Sequence, residues 1–488
     1  MEVLKVVNQA FSNKTILVTG ATGFVGKVLL EKILRDVPDC AKIILLMRGS
    51  REHPKAAERF KHDVLTSKLF EPLRAALGER FAEVIASKVE CVAGEITEPY
   101  FGLKNADFDA LAARVDLVIN SAASVNFREP LDDAIKINTL SLRTVVDFVE
   151  KAGTIPLVHV STCYVNGLNK GLMLEQSVTP AGKKVAKDKK GHYQILPLID
   201  KLQTRIEELR AKYSGEELTE KLIDLGIKTA HDYGWNDTYT FTKWMGEELL
   251  RQELTDNSLT ILRPSIVESA IAEPIEGWVE GVKVADALIL AFARRRFSFF
   301  PARPAGVIDI IPVDLVVNGI ILSATEALTA PVAQRIYQCC SGEQNPLTIA
   351  ECIDIIVREL REHWQKYPRL TKNRPPRKRL SAVRRSTFLA AMASMQSFVK
   401  ARARLKHDDA DVANQLKSFE VTLKLSTIYS FYTNPRYVFS NRQLLDLQTR
   451  LAGDNAQGCC ISATQFDWQG YLGGSHMRGL EQFGLSRK

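Results

Sequence analysis

Residues Val18 to Gly26 read V-T-G-A-T-G-F-V-G, directly after the apolar run Thr15-Ile-Leu-Val18 and ahead of an amphipathic stretch from about Phe24 to Arg35. A buried strand, a glycine turn and a helix in that order constrain the fold more than any other feature of the chain. The first glycine, Gly20, can take a backbone conformation closed to other residues. Gly23 lets the chain approach a pyrophosphate, and Gly26 lets the helix pack close to the strand, with the first helical N–H groups turned toward the phosphates. The expected dinucleotide cradle is therefore Thr19, Gly20, Thr22, Gly23, Phe24, Val25 and Gly26.

Strand and helix patterns alternate through the next 230 residues or so. Apolar runs at Ile43–Met47, Val89–Val92, Leu117–Ile119, Leu157–Val160 and Leu259–Leu262 are separated by helical patterns over Lys55–Arg74, Asp107–Arg114, Leu131–Lys151 and Tyr233–Arg251. Short continuous runs of Val, Ile and Leu suit strands covered on both faces. The pattern predicts an α/β fold, a Rossmann-type doubly wound parallel sheet. More than 70 residues separate the fifth strand from Tyr239, and an insertion at about 168–232 beside the site is expected to be a cover or a solvated excursion. Domain boundaries are expected at 1–355 for the dinucleotide-binding unit, 356–386 for a basic connector and 387–488 for a smaller, mainly helical C-terminal domain.

Charge is unevenly spread. The 488-residue chain carries a formal +8, yet Val357–Lys406 holds 15 Lys and Arg against Glu359 and Glu362. That segment is thus +13 and the remainder −5. Such a segment attracts acidic partners, phosphates or anionic lipid. It lacks interleaved aromatics or a recognition motif, so nucleic acid is not an expected partner. The eight cysteines show no C-x-x-C or other ligand spacing and read as buried free thiols, with no metal site. No signal pattern and no apolar run long enough to span a bilayer are visible, which leads to an expected cytoplasmic location.

Chemistry enters at Tyr239-Thr-Phe-Thr-Lys243. Four residues apart on a helix, the phenol and the ammonium share a face. A phenol titrates near 10, and a neighbouring cation lowers that value. The fifth strand ends at Ser161-Thr162-Cys163, where the site of such a sheet opens, and a hydroxyl there can donate to a substrate carbonyl. Cys163 as an acyl-capturing nucleophile is the weaker reading, because no base lies near it in sequence. Asn138 reads either as part of a proton relay or as a helix-surface residue. The second strand ends Met47-Arg48-Gly49, with Arg51 close behind and no acid before Glu52, which favours NADPH over NADH. Glu95 and Ile96 after the third strand are placed at the adenine edge, and Asn120 and Ala122 after the fourth lie under the cofactor.

These motifs match the extended short-chain dehydrogenase/reductase superfamily. More closely, the chain resembles bacterial alcohol-forming fatty acyl-CoA reductases over nearly its whole length. The resemblance rests on T-G-A-T-G-F-V-G-K-V-L-L-E-K at Thr19–Lys32, N-S-A-A-S-V-N-F-R at Asn120–Arg128, V-S-T-C-Y-V-N-G at Val160–Gly167 and Y-G-W-N-D-T-Y-T-F-T-K-W at Tyr233–Trp244. R-P-S-I-V-E-S at Arg263–Ser269 and G-W-V-E-G-V-K-V-A-D at Gly277–Asp286 extend it. It implies Tyr239 as proton donor, Lys243 as its activator and ribose ligand, and Thr162 with Ser161 as carbonyl donors. Pro264 and Ser265 would flank the nicotinamide. Gly94-Glu95 departs from the Gly-Asp common in the superfamily.

The implied reaction is NADPH-dependent reduction of a long-chain acyl-CoA or acyl-carrier-protein thioester through the aldehyde to a primary alcohol, as in wax ester biosynthesis. Reduction only to, or only from, the aldehyde is the alternative. A sugar-nucleotide epimerase or dehydratase of the same superfamily is a further one, against which Arg48 and the long insertion speak. The basic segment 357–406 is a candidate for peripheral contact at the inner face of the membrane.

Overall fold

The computed structural model describes residues 2–295, 299–330, 332–376, 379–405, 429–452 and 458–485. Its centre is a parallel sheet of seven strands: β1 (Thr15–Thr19), β2 (Lys42–Met47), β3 (Val89–Ala93), β4 (Leu117–Asn120), β5 (Leu157–Val160), β6 (Leu259–Pro264) and β7 (Gln334–Cys339). They lie in the order β7-β6-β5-β4-β1-β2-β3. The order reverses beside β1, between β1 and β4, which is where a doubly wound sheet opens its ligand crevice.

Alternate side chains of the strands feed two cores. Ile16, Val18, Ile43, Leu45 and Ile119 pack with the helices Glu2–Phe11, Phe24–Asp36 and Val313–Thr329. Leu17, Ile44, Leu46, Val118 and Ile261 face the other way, onto Phe108, Val145, Phe148 and Leu249. Burial on both faces is why these strands read as unbroken apolar runs rather than alternating ones.

Several elements differ from the expectation. β7 escapes the apolar pattern because it is an edge strand of mixed character: Arg335 pairs with Glu326 at 3.2 Å, and the Tyr337 hydroxyl donates to Glu326 at 2.6 Å. A helix Gly215–Tyr233 ends where the helix expected over Tyr233–Arg251 begins, and the expected one runs Thr238–Glu253. Gly234, at φ +103°, ends the first, and the Asp237 carboxylate caps the second by accepting from the Thr240 N–H at 2.8 Å. The insertion forms a short strand, Gly171–Met173, and the helices Ile195–Arg210 and Gly215–Tyr233, with a core built on Leu198, Leu202, Trp235 and Trp244. Its polar stretch 183–190 is tied back by a bridge between Lys187 and Tyr193.

Packing runs across the boundaries expected at 355 and 387. The first falls inside the helix Ile349–His363. The connector is not a solvated coil: Ser381–Val383 pairs in parallel with Phe299–Pro301, and Tyr367, Leu370 and Leu380 are buried. Tyr437–Phe439 pairs with Gly171–Met173, while Leu444 and Leu447 join the core of β1 and the glycine-turn helix. Tyr432 and Phe439, from the expected C-terminal domain, pack on Tyr164, near the end of β5. Residues 406–428 of the expected C-terminal domain lie outside the described residues. Among the described residues no helix is long and apolar enough to cross a membrane.

Candidate active site

The glycine turn opens a cleft of about 560 Å³ at the switch point between β1 and β4. Gly20 has φ +74°, and a Cβ on it would stand 2.7 Å from the Ser121 hydroxyl and 2.8 Å from the Ala122 nitrogen. A Cβ on Gly26 would stand 2.2 Å from the Gly20 carbonyl oxygen. These two positions admit only glycine, and Gly23 caps the following helix without a side chain, so its first N–H groups face the cleft. Thr22 and Ala122 line the same cleft. This geometry fits a dinucleotide: a pyrophosphate requires a bare backbone and an uncapped helix end, and both are present.

Other expected contacts fall elsewhere. Phe24 and Val25 contribute only their backbone at the helix start. The Phe24 ring stacks on Trp278 at 5.4 Å, and Val25 packs into the core. The Asn120 side chain is fully buried and turned away from the cleft, where its amide oxygen accepts from the Thr19 hydroxyl at 2.5 Å.

At the far end of the cleft the Arg48 guanidinium, 73% exposed, pairs with Glu95 at 3.1 Å. Glu95 therefore faces a cation within the cleft, and Ile96 lines the wall beside it. Arg51 is exposed and does not line the cleft; Arg59 does, and it donates to the Arg48 carbonyl at 3.0 Å. The sequence reading missed Arg59 because it lies on a helix beyond the strand-end motif. Its position one turn into the Lys55–Arg74 pattern was the available signal.

The second group of candidates lies deeper, at the ends of β5 and β6. Tyr239, in the first turn of the helix Thr238–Glu253, is hydrogen-bonded to Thr162. The Thr162 hydroxyl also reaches the Pro264 carbonyl, at 3.4 Å, and accepts from the Tyr164 N–H at 3.2 Å. The Ser161 hydroxyl is buried and has no partner among the described residues, which leaves it free to donate to a bound group. Ser265, beside Pro264, is buried and held by its N–H on the Cys339 carbonyl at 3.0 Å. Phe127 meets the Tyr239 ring edge-on at 5.7 Å, and Tyr432 lies against Phe127 at 5.6 Å. Phe127 lies in the quoted stretch Asn120–Arg128 without having been singled out there, and Tyr432 lies in no motif that sequence reasoning singles out.

The groups that shift the Tyr239 phenol in this structure do not include Lys243. Burial pushes the Tyr239 phenol above its usual value, Asp237 adds to that, and the Thr162 hydrogen bond offsets it only in part. The Lys243 amine turns toward β5 instead, donating to the Val160 carbonyl at 2.9 Å and lying 3.2 Å from His159 Nε2. Burial lowers the Lys243 amine to about 8, against the pull of Glu247. Sharing a helix face places the two groups one turn apart without making them partners.

Asn138 is buried rather than on a helix surface. It sits in a π-turn, Lys136–Leu140, and bonds the backbone of Ser124 through both its oxygen (2.9 Å) and its nitrogen (3.1 Å), while donating to Thr242 at 3.1 Å. It clamps the loop after β4 to the tyrosine helix. Cys163 is buried with its thiol on the Arg263 carbonyl at 2.9 Å, and burial raises its titration, so it is held as a thiol rather than as a nucleophilic thiolate. All eight cysteines are free.

Known proteins resemble this chain along most of its length. Residues 18–320 match a family model described as male sterility protein. Fatty acyl-CoA reductase 1 of Arabidopsis thaliana is 32% identical over 97% of this chain and 97% of its own length. The alcohol-forming fatty acyl-CoA reductase of Simmondsia chinensis is 29% identical over the whole of both. Among solved structures, the terminal R domain of the myxalamid PKS-NRPS pathway superposes with a TM-score of 0.57 at 19% identity, over 96% of this chain and 90% of that one. A nonribosomal peptide synthetase reductase domain from Mycobacterium tuberculosis gives 0.57 at 17%, over 98% and 95%. At those identities the likeness is one of fold.

Proposed function

The chain belongs to the fatty acyl-CoA reductase family, and from that premise we propose that it reduces a long-chain acyl-CoA with NADPH, through the aldehyde, to the primary alcohol. The observation that carries this reading is the cluster at the end of β5: the Tyr239 phenol on Thr162, with the unpartnered Ser161 hydroxyl beside it. When bound, the nicotinamide supplies hydride to the carbonyl carbon. As hydride arrives, the Ser161 and Thr162 hydroxyls hold the developing oxyanion. Tyr239 donates its proton to that oxygen, and burial suits it to the task by keeping the phenol protonated. The hemithioacetal then collapses, its C–S bond breaks, and the thiol leaves with a proton. With a second NADPH bound and the Tyr239 phenol reprotonated from solvent, the aldehyde carbon takes a second hydride and Tyr239 protonates the alkoxide.

Gly20, Gly23 and Gly26 serve the pyrophosphate in this reading, and Pro264–Ser265 the nicotinamide. Arg48 and Arg59 supply cations for the 2′-phosphate that distinguishes NADPH. Lys243, with its amine buried behind the phenol, holds the ribose. Activity on a carrier-protein thioester in place of acyl-CoA is tested by the same assay with that substrate. The protein is proposed to work in the cytoplasm, in peripheral contact with anionic lipid through the basic segment, where the helix Arg385–Leu405 exposes Met395 and Phe398.

Purified protein given palmitoyl-CoA and NADPH is expected to consume two cofactors for each thiol released. One cofactor per thiol, with aldehyde accumulating, would establish the aldehyde-forming alternative. No oxidation of NADPH with either acyl-CoA or a long-chain aldehyde would overturn the reading.

A further inference from the structure

His159, on β5, is buried between two other polar side chains that belong to different parts of the site. Its Nδ1 is 3.0 Å from Asn120 Nδ2, and its Nε2 is 3.2 Å from Lys243 Nζ. Asn120 in turn accepts from the Thr19 hydroxyl at 2.5 Å, and Thr19 Oγ1 accepts from the Ala122 N–H at 3.2 Å, beneath the floor of the cofactor cleft. An unbroken polar chain therefore runs from the residue before Gly20 to the lysine behind the phenol. Its members come from β1, β4, β5 and the tyrosine helix.

We propose that His159 is a positioning residue for Lys243: through the chain Thr19–Asn120–His159–Lys243 it fixes where the lysine amine points and sets the charge that amine carries. The inference rests on the reading of Lys243 as the ribose ligand behind Tyr239.

A neutral imidazole has one N–H and one acceptor nitrogen, and burial with the nearby lysine holds His159 well below its usual titration, hence neutral. If Lys243 is an ammonium, it donates to Nε2. Nδ1 then carries the hydrogen and donates to the Asn120 amide oxygen, with the amide turned so that its nitrogen faces Thr19. If Lys243 is neutral, Nε2–H donates to the amine, and Asn120 Nδ2 donates to Nδ1. The tautomer of His159 and the orientation of Asn120 thus follow the charge on Lys243.

Few other charges reach the amine. Glu247, one turn along the same helix, attracts it but is closed on Arg263 of β6 at 2.6 Å. Tyr239 lies one turn back. From the helical stretch 131–151, Asn138 and Thr139 meet the tyrosine helix, and both are uncharged. The imidazole is the one neutral ring nitrogen in contact with the amine among the described residues.

The test follows aldehyde reduction by NADPH against pH for wild type, His159→Phe and His159→Gln. Without an imidazole acceptor the ammonium is harder to keep, so the alkaline limb of kcat is expected to move down by about one pH unit in His159→Phe. His159→Gln, whose amide oxygen can accept from the amine, is expected to restore the limb. A limb that stays in place in folded His159→Phe would overturn the proposal, whatever happens to kcat itself. Should the phenylalanine variant not fold, 15N NMR of histidine-labelled wild type decides the matter, with His159→Gln identifying the resonance. The tautomer is expected to change from Nδ1–H to Nε2–H as pH rises through the Lys243 titration. One tautomer on both sides of it would overturn the proposal. A protein that reduces no aldehyde fails the functional reading, and the NMR result still decides this one.

Discussion

The two ends of the site are built on opposite terms. At the cofactor end the chain offers bare backbone, an uncapped helix start and the exposed guanidinium of Arg48. At the reducing end Thr162, Ser161, Lys243 and His159 are buried, Phe127 packs on the Tyr239 ring with Tyr432 against it, and the titrations of Tyr239, Lys243 and His159 are displaced by burial. Water screens the first end and is largely excluded from the second, so equal changes in charge have unequal effects. Recognition can be left to the screened end, because binding tolerates small errors of geometry. Proton donation cannot, and its donors are held by side chains drawn from several elements.

The contrast is broken most severely at the closed end. Tyr239→Phe removes the proton donor while keeping the ring against Phe127; aldehyde reduction is expected to fall by about a thousandfold. NADPH affinity, measured by fluorescence titration, should stay within twofold or so of wild type. A comparable loss in affinity would show that the two ends are not separable. At the open end, Gly20→Ala forces a Cβ against Ser121 and Ala122 at positive φ. Its expected effects are roughly a hundredfold weaker NADPH binding and about 1–3 kcal/mol of lost stability. Retained affinity would mean the turn does not cradle the phosphates.

Arg48→Ala acts on a screened contact, and a charge-assisted hydrogen bond of about 1.5–3 kcal/mol corresponds to a ten- to hundredfold weaker Kd for NADPH. The Kd for NADH should be unchanged, which isolates the 2′-phosphate as the group Arg48 serves. Lys243 supplies a pH test of the closed end. Its folded value, about 8, lies below the ordinary 10.5, so between those values the unfolded chain binds the extra proton. Stability of wild type relative to Lys243→Met should accordingly rise with pH through that window. Activity that depends on the ammonium should fall over the same range. Chemical denaturation and initial rates at matched pH check the opposed signs, and parallel trends would show that the charge is not needed for turnover.

The open end was legible in sequence because its demands fall on the backbone. Only glycine meets the φ of Gly20 and the close approach at Gly26, and both lie beside the strand they serve. The closed end was legible only where local spacing carried it, as with Tyr239 and Lys243, and the spacing says nothing of the amine's partners, His159 and Val160. His159 reads as one polar residue in an apolar run, with nothing to mark its contacts to Asn120 and Lys243. Tyr432 reaches Asp237, 195 residues away, and no local pattern encodes such a contact. The edge strand β7 and the spread of the C-terminal residues over cores begun by earlier elements were illegible for the same reason. Their apolar partners are set by tertiary packing, while periodicity reports only that an element has an apolar face.

The smallest effect is expected outside both ends. On the helix Arg385–Leu405, Phe388 and Met392 point inward, whereas Met395 and Phe398 are 46% and 71% exposed and follow Arg384 and Arg385. Exposed side chains contribute little to folding, so replacing Met395 and Phe398 by Ser should alter stability by less than about 0.5 kcal/mol. The reducing site lies elsewhere in the fold, and NADPH oxidation with a soluble aldehyde should be unaffected. Sedimentation with vesicles rich in phosphatidylserine should weaken, because apolar insertion and attraction of basic residues act together at an anionic surface. The remaining binding should fall further with salt, whereas wild-type binding falls less steeply. Unchanged sedimentation of the variant would leave the basic charge alone to account for any lipid contact, and no sedimentation of wild type would remove the membrane from the proposal.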